Sequence, residues 1–367
     1  MSCSRAAGAV TSLALFLSAA CAPGTRPPDT SPQNQAAAVA ATAEPADAAE
    51  SAAVAEPSPA QQVAANDTAT PIQAAGGEPP TGWFCPMHAD VTASEAGECS
   101  KCNMKLIAGN PFDTREYLLD VSTSPAAIVP GEPFTLILTV RHPATGEPVN
   151  VFEEMHERFF HLFVISQDMK VFQHIHPELT PEATWQIEVT VPQEGYYRVL
   201  SDFLPAGGSP QFLGRTLVTA GFDGDLLSQA AALTLDTAET KTVDTITAEL
   251  ALDPEKLLAG QYGHLTFTLT DARTGEPVTN LQPYLGAFGH TLILSEDMLD
   301  VVHSHPSPGP GNDLAKGVGG PRITFEGYLP RPGLYRAWTQ LQRDGQLSTF
   351  AYTVRVFSID EAFSAQR

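Results

Sequence analysis

One pattern, written twice, limits the folds open to this chain more than any other feature. His161-Leu-Phe-Val-Ile-Ser-Gln-Asp-Met-Lys-Val-Phe-Gln-His174-Ile-His176-Pro177 recurs as His290-Thr-Leu-Ile-Leu-Ser-Glu-Asp-Met-Leu-Asp-Val-Val-His303-Ser-His305-Pro306, at an offset of 129 residues. Thr145-Gly-Glu-Pro-Val149 recurs as Thr274-Gly-Glu-Pro-Val278 at the same offset. Beyond the His-x-His-Pro segment the offset grows to 138, because Gly195-Tyr196-Tyr197-Arg198 matches Gly333-Leu334-Tyr335-Arg336. The second copy therefore carries a nine-residue insertion, which falls in the Gly- and Pro-rich loop 306–321. A duplication on this scale means two copies of one domain.

The local pattern within each copy is β. Short runs alternate apolar with polar residues between Pro and Gly turns, as in Phe134–Val140, Trp185–Val191 and Tyr196–Phe203, then Leu265–Thr270, Arg322–Glu326 and Gly333–Trp338. Each copy, 115–220 and 246–358, is a little over 100 residues long. That length and about seven strands give the size and rhythm of an Ig-like β-sandwich. Residues 221–245 read as a linker, with a short helix over Leu226–Ala232.

The repeated histidines sit in what reads as a β-hairpin. With Gln167-Asp168 as a two-residue turn, or Ser166–Met169 as a four-residue one in the same register, His161 falls opposite His174, and His176 projects from the same face two residues on. Glu296-Asp297 does the same for His290, His303 and His305. Facing Cβ atoms in such a pair lie about 5 Å apart. Three imidazoles so placed can close on one ion, and an open three-histidine site fits Zn(II) or Cu(II). The same face also carries Phe163, Ile165 and Phe172, or Leu292, Leu294 and Val301, so it is expected to point into the core of its own sandwich. On that basis satisfied rim histidines are the alternative to ligands. Met155 and His156 precede the first hairpin, near Glu153 and Glu154, and Tyr284 and Leu285 take the places of the first two in the second copy. His142 and His264 have no companions and read as structural.

The formal net charge of −22 argues against nucleic-acid binding. Residues 1–20 read as an export signal, with Arg5 before an apolar run over Ala7–Leu17 that is too short for a permanent span. That signal ends in Leu17-Ser18-Ala19-Ala20-Cys21, which resembles the lipobox of bacterial lipoproteins. The resemblance implies lipidation of Cys21 and a membrane-anchored, cell-envelope protein, and Ala22 points to the outer membrane. Residues 21–81 are rich in Ala, Pro, Thr and Glu and poor in large apolar side chains, the composition of a disordered tether. About 60 flexible residues would span roughly 40 Å.

Once Cys3 and Cys21 are assigned to the export segment, Cys85, Cys99 and Cys102 are left, an odd set that suits a metal better than disulfides. Cys85-x2-His88 and Cys99-x2-Cys102 give two knuckles of two ligands each, within 82–110. Met87 and Met104 add thioethers beside them, and sulfur-rich surroundings favour Cu(I) as well as Zn(II). The stretch resembles the heavy-metal-binding domain found beside copper-transporting ATPases and metal-efflux adaptors. The match lies at Cys85-Pro86-Met87-His88, Gly97, Cys99, Cys102, Met104 and Leu106, with departures at Ala89, Ala96, Ser100 and Asn103. The resemblance implies copper or zinc as the bound metal and a metal-efflux system as a partner. No nucleophile elbow, phosphate loop or His-Glu-x-x-His motif is present, so the expectation is a binding protein and not an enzyme. The expected whole is mainly β: a tether, a small metal-binding knuckle and two tandem Ig-like sandwiches. Its expected function is envelope metal binding for resistance, storage or delivery to a transporter. The alternative is a protein-interaction lipoprotein whose knuckle holds a structural zinc.

Overall fold

In the first copy Phe134, Leu136, Leu138 and Val140 alternate with half-exposed residues along the strand Pro133–Arg141, and all four are buried. Leu265, Phe267 and Leu269 do the same along Gln261–Asp271 in the second copy. This period of two fixes one sheet of each sandwich with its apolar face inward. A computed structural model describes residues 82–364 except Met87, Ala89, Asn103, Phe112, 225–231, 307–308, 310–311 and 313–315. The export signal, Cys21, the tether and nearly all of the expected linker helix lie outside the described residues, as does Met87.

The first sandwich pairs a sheet ordered Leu118–Ser124, Pro133–Arg141, Trp185–Thr190, Glu178–Leu179 with one ordered Gln211–Val218, Tyr196–Pro205, Phe160–Ser166, Phe172–Ile175. The second repeats this plan with Ile246–Asp253, Gln261–Asp271 and Arg322–Leu329 against Gln346–Phe357, Gly333–Arg343, His290–Ser295 and Val301–Ser304. The chain is thus mainly β, with two sandwiches of immunoglobulin-type strand order. Each also has a tyrosine corner: Tyr197 Oη donates to the Gln193 carbonyl and Tyr335 Oη to the Arg331 carbonyl, both at 2.9 Å. Ahead of them, Thr92–Ala93, Gly82–Phe84 and Ile107–Gly109 form a three-stranded antiparallel sheet. Phe84 and Ile107 of that sheet pack on Met155 and Leu204 of the first sandwich. Among the described residues, no helix is long and apolar enough to cross a membrane.

The hairpin register differs from the expected one. Phe163, not His161, lies opposite His174, and Leu292, not His290, lies opposite His303. The cause is the turn. Met169 N donates to the Ser166 carbonyl and Ser166 N to the Val171 carbonyl, so Ser166 faces Val171, not Met169, across a four-residue loop. Met169 and Met298 take left-handed φ values of 55° and 59°, and the Ser166 and Ser295 hydroxyls donate to Asp168 and Asp297, which accept from the next backbone N–H groups. These contacts account for the repeated Ser-x-Asp-Met. Because the register moves by two, every side chain keeps its face.

That face has a different destination from the one expected. Leu162 and Val164 point into the first sandwich's core, whereas Phe163 and Ile165 point away from it. With Met169 and Leu200 they meet Leu292, Leu294, Met298 and Trp338 of the second copy in one apolar cluster. The two sandwiches are therefore packed together through their hairpin sheets. Every residue of Phe160–Ser166 and of His290–Ser295 is buried, since both faces of each strand are covered.

Candidate metal centres

The knuckle is built by two tight turns off the small sheet. His88 N donates to the Cys85 carbonyl and Val91 N to that of His88, while Cys99 N bonds the Met104 carbonyl and Leu106 N that of Gly97. These turns bring the Cys85, His88, Cys99 and Cys102 donors within 4.8 Å of one another. Cys85 Sγ lies 3.7 Å from Cys102 Sγ and 3.6 Å from His88 Nδ1, and Cys99 Sγ lies 3.6 Å from that same nitrogen. Tetrahedral coordination with Zn–S of about 2.3 Å and Zn–N of about 2.0 Å puts sulfurs about 3.8 Å apart and sulfur and nitrogen about 3.6 Å apart. The donor set fits such an ion. Lys101 N donates to Cys99 Sγ at 3.4 Å. Without a cation, the nearby Cys85 sulfur and burial push the Cys102 thiol well up, so loading the metal must release protons. Met104 packs beside the apolar cluster of Phe84, Ile107, Met155 and Leu204.

The six hairpin histidines do not form two separate groups. Both faces that carry them meet at the interface between the sandwiches, and His161, His174, His176, His290, His303 and His305 form one cluster there. His161 Nδ1 lies 3.1 Å from His174 Nε2 and 3.2 Å from His176 Nε2. The ring centroids of His161 and His303, from different copies, are 5.2 Å apart. Two three-nitrogen groups lie within 4.8 Å, His161 with His174 and His303, and His290 with His303 and His305. His156 joins the cluster by stacking on His305 with centroids 3.3 Å apart. His142 packs edge-on to Tyr117 and His264 pairs with Glu326 at 3.1 Å, both away from the cluster.

The supports of these rings fix their tautomers. His161 Nε2 donates to the Met155 carbonyl at 3.0 Å, and His290 Nε2 donates to the matching Tyr284 carbonyl at 2.8 Å. His303 Nδ1 donates to Asp202 Oδ2 at 2.7 Å, and His174 Nδ1 donates to Gln340 Oε1 at 2.8 Å. Gln340 Nε2 in turn donates to Thr349 Oγ1, which assigns its oxygen to the histidine. Asp202 and Gln340 occupy matching places in the two copies, one beside His161 and the other beside His290 in the sheet, yet each supports a histidine of the opposite copy. Sequence reading missed both. The signal was present at the 138 offset: Asp202 and Gln340 are polar side chains at the same point of the repeated strand.

Burial, reinforced by neighbouring rings, favours the neutral form of six of these rings. It lowers His161 to about 4 and His176 to about 3, and pushes His156, His174, His290 and His305 well below the usual histidine value. These folded-state values lie below the unfolded one, so the unfolded chain binds more protons as pH falls under about 6.5. Stability of the metal-free protein is therefore expected to be full above pH 6.5 and to fall steadily toward pH 4. Urea midpoints at pH 7.5, 5.5 and 4.5 check this, and equal midpoints would contradict the buried neutral cluster.

Comparison with known proteins agrees with the knuckle. Residues 83–108 match the family described as a heavy metal binding domain. Residues 115–216 and 241–358 each match the family described as "Domain of unknown function (DUF8832)". No curated protein matches the chain. Solved structures with some likeness include the Escherichia coli adhesin FdeC, 16% identical over 70% of this chain and 67% of that one, with a TM-score of 0.21. The Yersinia pseudotuberculosis adhesin InvE is 12% identical over 65% of this chain and 60% of that one, with a TM-score of 0.20. A carbohydrate-binding module of the β-sandwich superfamily is 12% identical over 67% and 94%, with a TM-score of 0.19.

Proposed function

The chain belongs to the family described as "Domain of unknown function (DUF8832)", carried here in two copies behind a heavy metal binding domain, and we propose that it is a heavy-metal-binding protein of the cell envelope. Its task is to bind copper or zinc for resistance, storage or delivery to a metal-efflux system. The observation that carries this reading is the Cys85, His88, Cys99 and Cys102 set, whose spacing fits a tetrahedral ion before any ion is placed. Three sulfurs and one nitrogen are a donor set for Zn(II) and Cu(I). The lipobox-like Leu17–Cys21 supports an anchored, envelope location.

Cobalt(II) titrated into the full chain is the test. An ion tightly bound at the knuckle should show a sulfur-to-metal charge-transfer band, and Cys99→Ser should remove that band. A wild-type chain that binds no cobalt, zinc or copper(I) more tightly than micromolar would end the proposal. Exchange of bound zinc for Cu(I) within minutes supports a carrier. Zinc that resists exchange would instead favour the structural-zinc reading, which has some support in the packing of Phe84 and Ile107 onto the first sandwich. Metabolic labelling with a fatty-acid probe, lost in Cys21→Ser, tests the anchor.

A further inference from the structure

With the tautomers fixed as above, His161 Nε2 and His174 Nδ1 are both N–H donors to oxygen. The two remaining nitrogens, His161 Nδ1 and His174 Nε2, both carry lone pairs, and they face one another at 3.1 Å. That contact is not a hydrogen bond, because neither atom has a proton to give. Two neutral lone pairs at this distance repel unless a cation lies between them, and His176 Nε2, 3.2 Å from His161 Nδ1, can either donate to that lone pair or turn its own toward the same ion. The third nitrogen of the group, His303 Nε2, is buried and has no hydrogen-bond partner, and the same holds for His290 Nδ1 and both nitrogens of His305. Leaving such atoms dry costs free energy in an apolar setting, so their convergence calls for an occupant.

We propose that the two repeats jointly build a second metal centre, in which His161 Nδ1, His174 Nε2 and His303 Nε2 hold one borderline divalent ion, zinc(II) or copper(II), across the interface between the sandwiches. The geometry is close to what such an ion needs. Metal–nitrogen bonds of about 2.0 Å in a tetrahedral set place nitrogens about 3.3 Å apart, near the observed 3.1 Å pair. The third nitrogen, within 4.8 Å, has little distance to close. Each ligand ring is held from behind by an oxygen: the Met155 carbonyl on His161, the Gln340 amide on His174 and the Asp202 carboxylate on His303. Such supports orient imidazoles and raise their basicity toward a metal. Two of the three come from the repeat opposite to the ring they hold, so the centre exists only in the assembled pair.

One ion is the stoichiometry the chemistry allows. The second group, His290 with His305, also includes His303, and with its Nδ1 taken by Asp202 that ring has only Nε2 to offer to one ion. Asp202 is the one carboxylate bonded to these rings among the described residues, which balances part of one divalent charge and little of a second. An entry route is present as well. A cleft of about 760 Å³ has His88 and Cys102 of the knuckle on its wall together with His303 and His305. The cleft thus runs from the knuckle to the His303 and His305 edge of the histidine cluster.

The test uses the full chain with the knuckle disabled by Cys85→Ser, Cys99→Ser and Cys102→Ser. Cobalt(II) should still bind once per chain, tighter than micromolar, with a ligand-field spectrum that lacks sulfur charge transfer. His303→Ala should weaken that binding at least 100-fold. Asp202→Asn, which keeps shape and folding, should weaken it 10- to 100-fold, as should Gln340→Leu. No binding in the knuckle-disabled chain overturns the joint centre and leaves the knuckle proposal standing. Two ions, one lost with His174→Ala and the other with His303→Ala, overturn it in favour of a separate site in each repeat. Unchanged affinity in Asp202→Asn also overturns it, since the cross-repeat support would then be structural only. Equal binding by the wild-type and knuckle-disabled chains would keep the joint centre and remove the knuckle proposal.

Discussion

Chelating the metal from the intact chain is expected to unfold residues 82–110 and to leave both sandwiches folded. The three strands of that segment are three, two and three residues long. Its own buried cluster is Cys85, Cys99 and Leu106, and Phe84 and Ile107 face Met155 and Leu204 instead. So small an apolar core supplies far less than the ordering of almost thirty residues costs. A structural zinc in comparable peptides contributes about 10–16 kcal/mol of apparent binding free energy, which here becomes folding free energy. Removing the ion also leaves Cys85 and Cys102 crowded at 3.7 Å with Cys102 driven toward its protonated form. Packing on the first sandwich offsets a part of this loss, so the segment should stay near its docking site without holding its turns. In a two-dimensional amide NMR spectrum, chelator should collapse the dispersed signals of 82–110 and spare those of 115–358. Retained dispersion would show that the segment is held by packing alone.

The duplication, the β class and the knuckle's four donors could all be read from the residues, because each rests on a local pattern: an offset, a period of two and a ligand spacing. The face shared by His161, His174 and His176 was legible for the same reason. The register was not, since it depends on Met169 and Met298 adopting left-handed backbone, which a Ser-x-Asp-Met turn does not announce. Nor was the meeting of the two histidine sets. Phe163, Ile165 and Leu294 are as apolar as core residues, and an apolar outer face has the same sequence whether it covers its own core or another domain. The polar residues on that strand's outer face, Asp202 and Gln340 among them, marked it as facing something other than a core.

Trp338→Ala is expected to cost about 3–5 kcal/mol, the usual range for emptying a buried aromatic site, and to loosen the two sandwiches from each other. Trp338 is 3% exposed although it lies on the outer face of its own sheet. What covers it comes from the other repeat: its ring stacks on Phe172 with centroids 4.9 Å apart and planes 9° from parallel. The loss therefore falls on the interface and not on either sandwich core. Phe172→Ala should lose part of the same contact, and the double variant should lose less than the sum of the two. A coupling of about 0.5–1.5 kcal/mol is expected for an aromatic pair of this geometry. Urea unfolding of the four proteins closes that cycle. Additive effects would mean that the rings do not meet in solution. The histidine cluster gives a second readout, because Trp338 shares its strand with Gln340 and pairs with Leu292, two residues from His290. If the interface holds the rings in place, Trp338→Ala should also weaken cobalt binding by the knuckle-disabled chain, with no ligand atom removed.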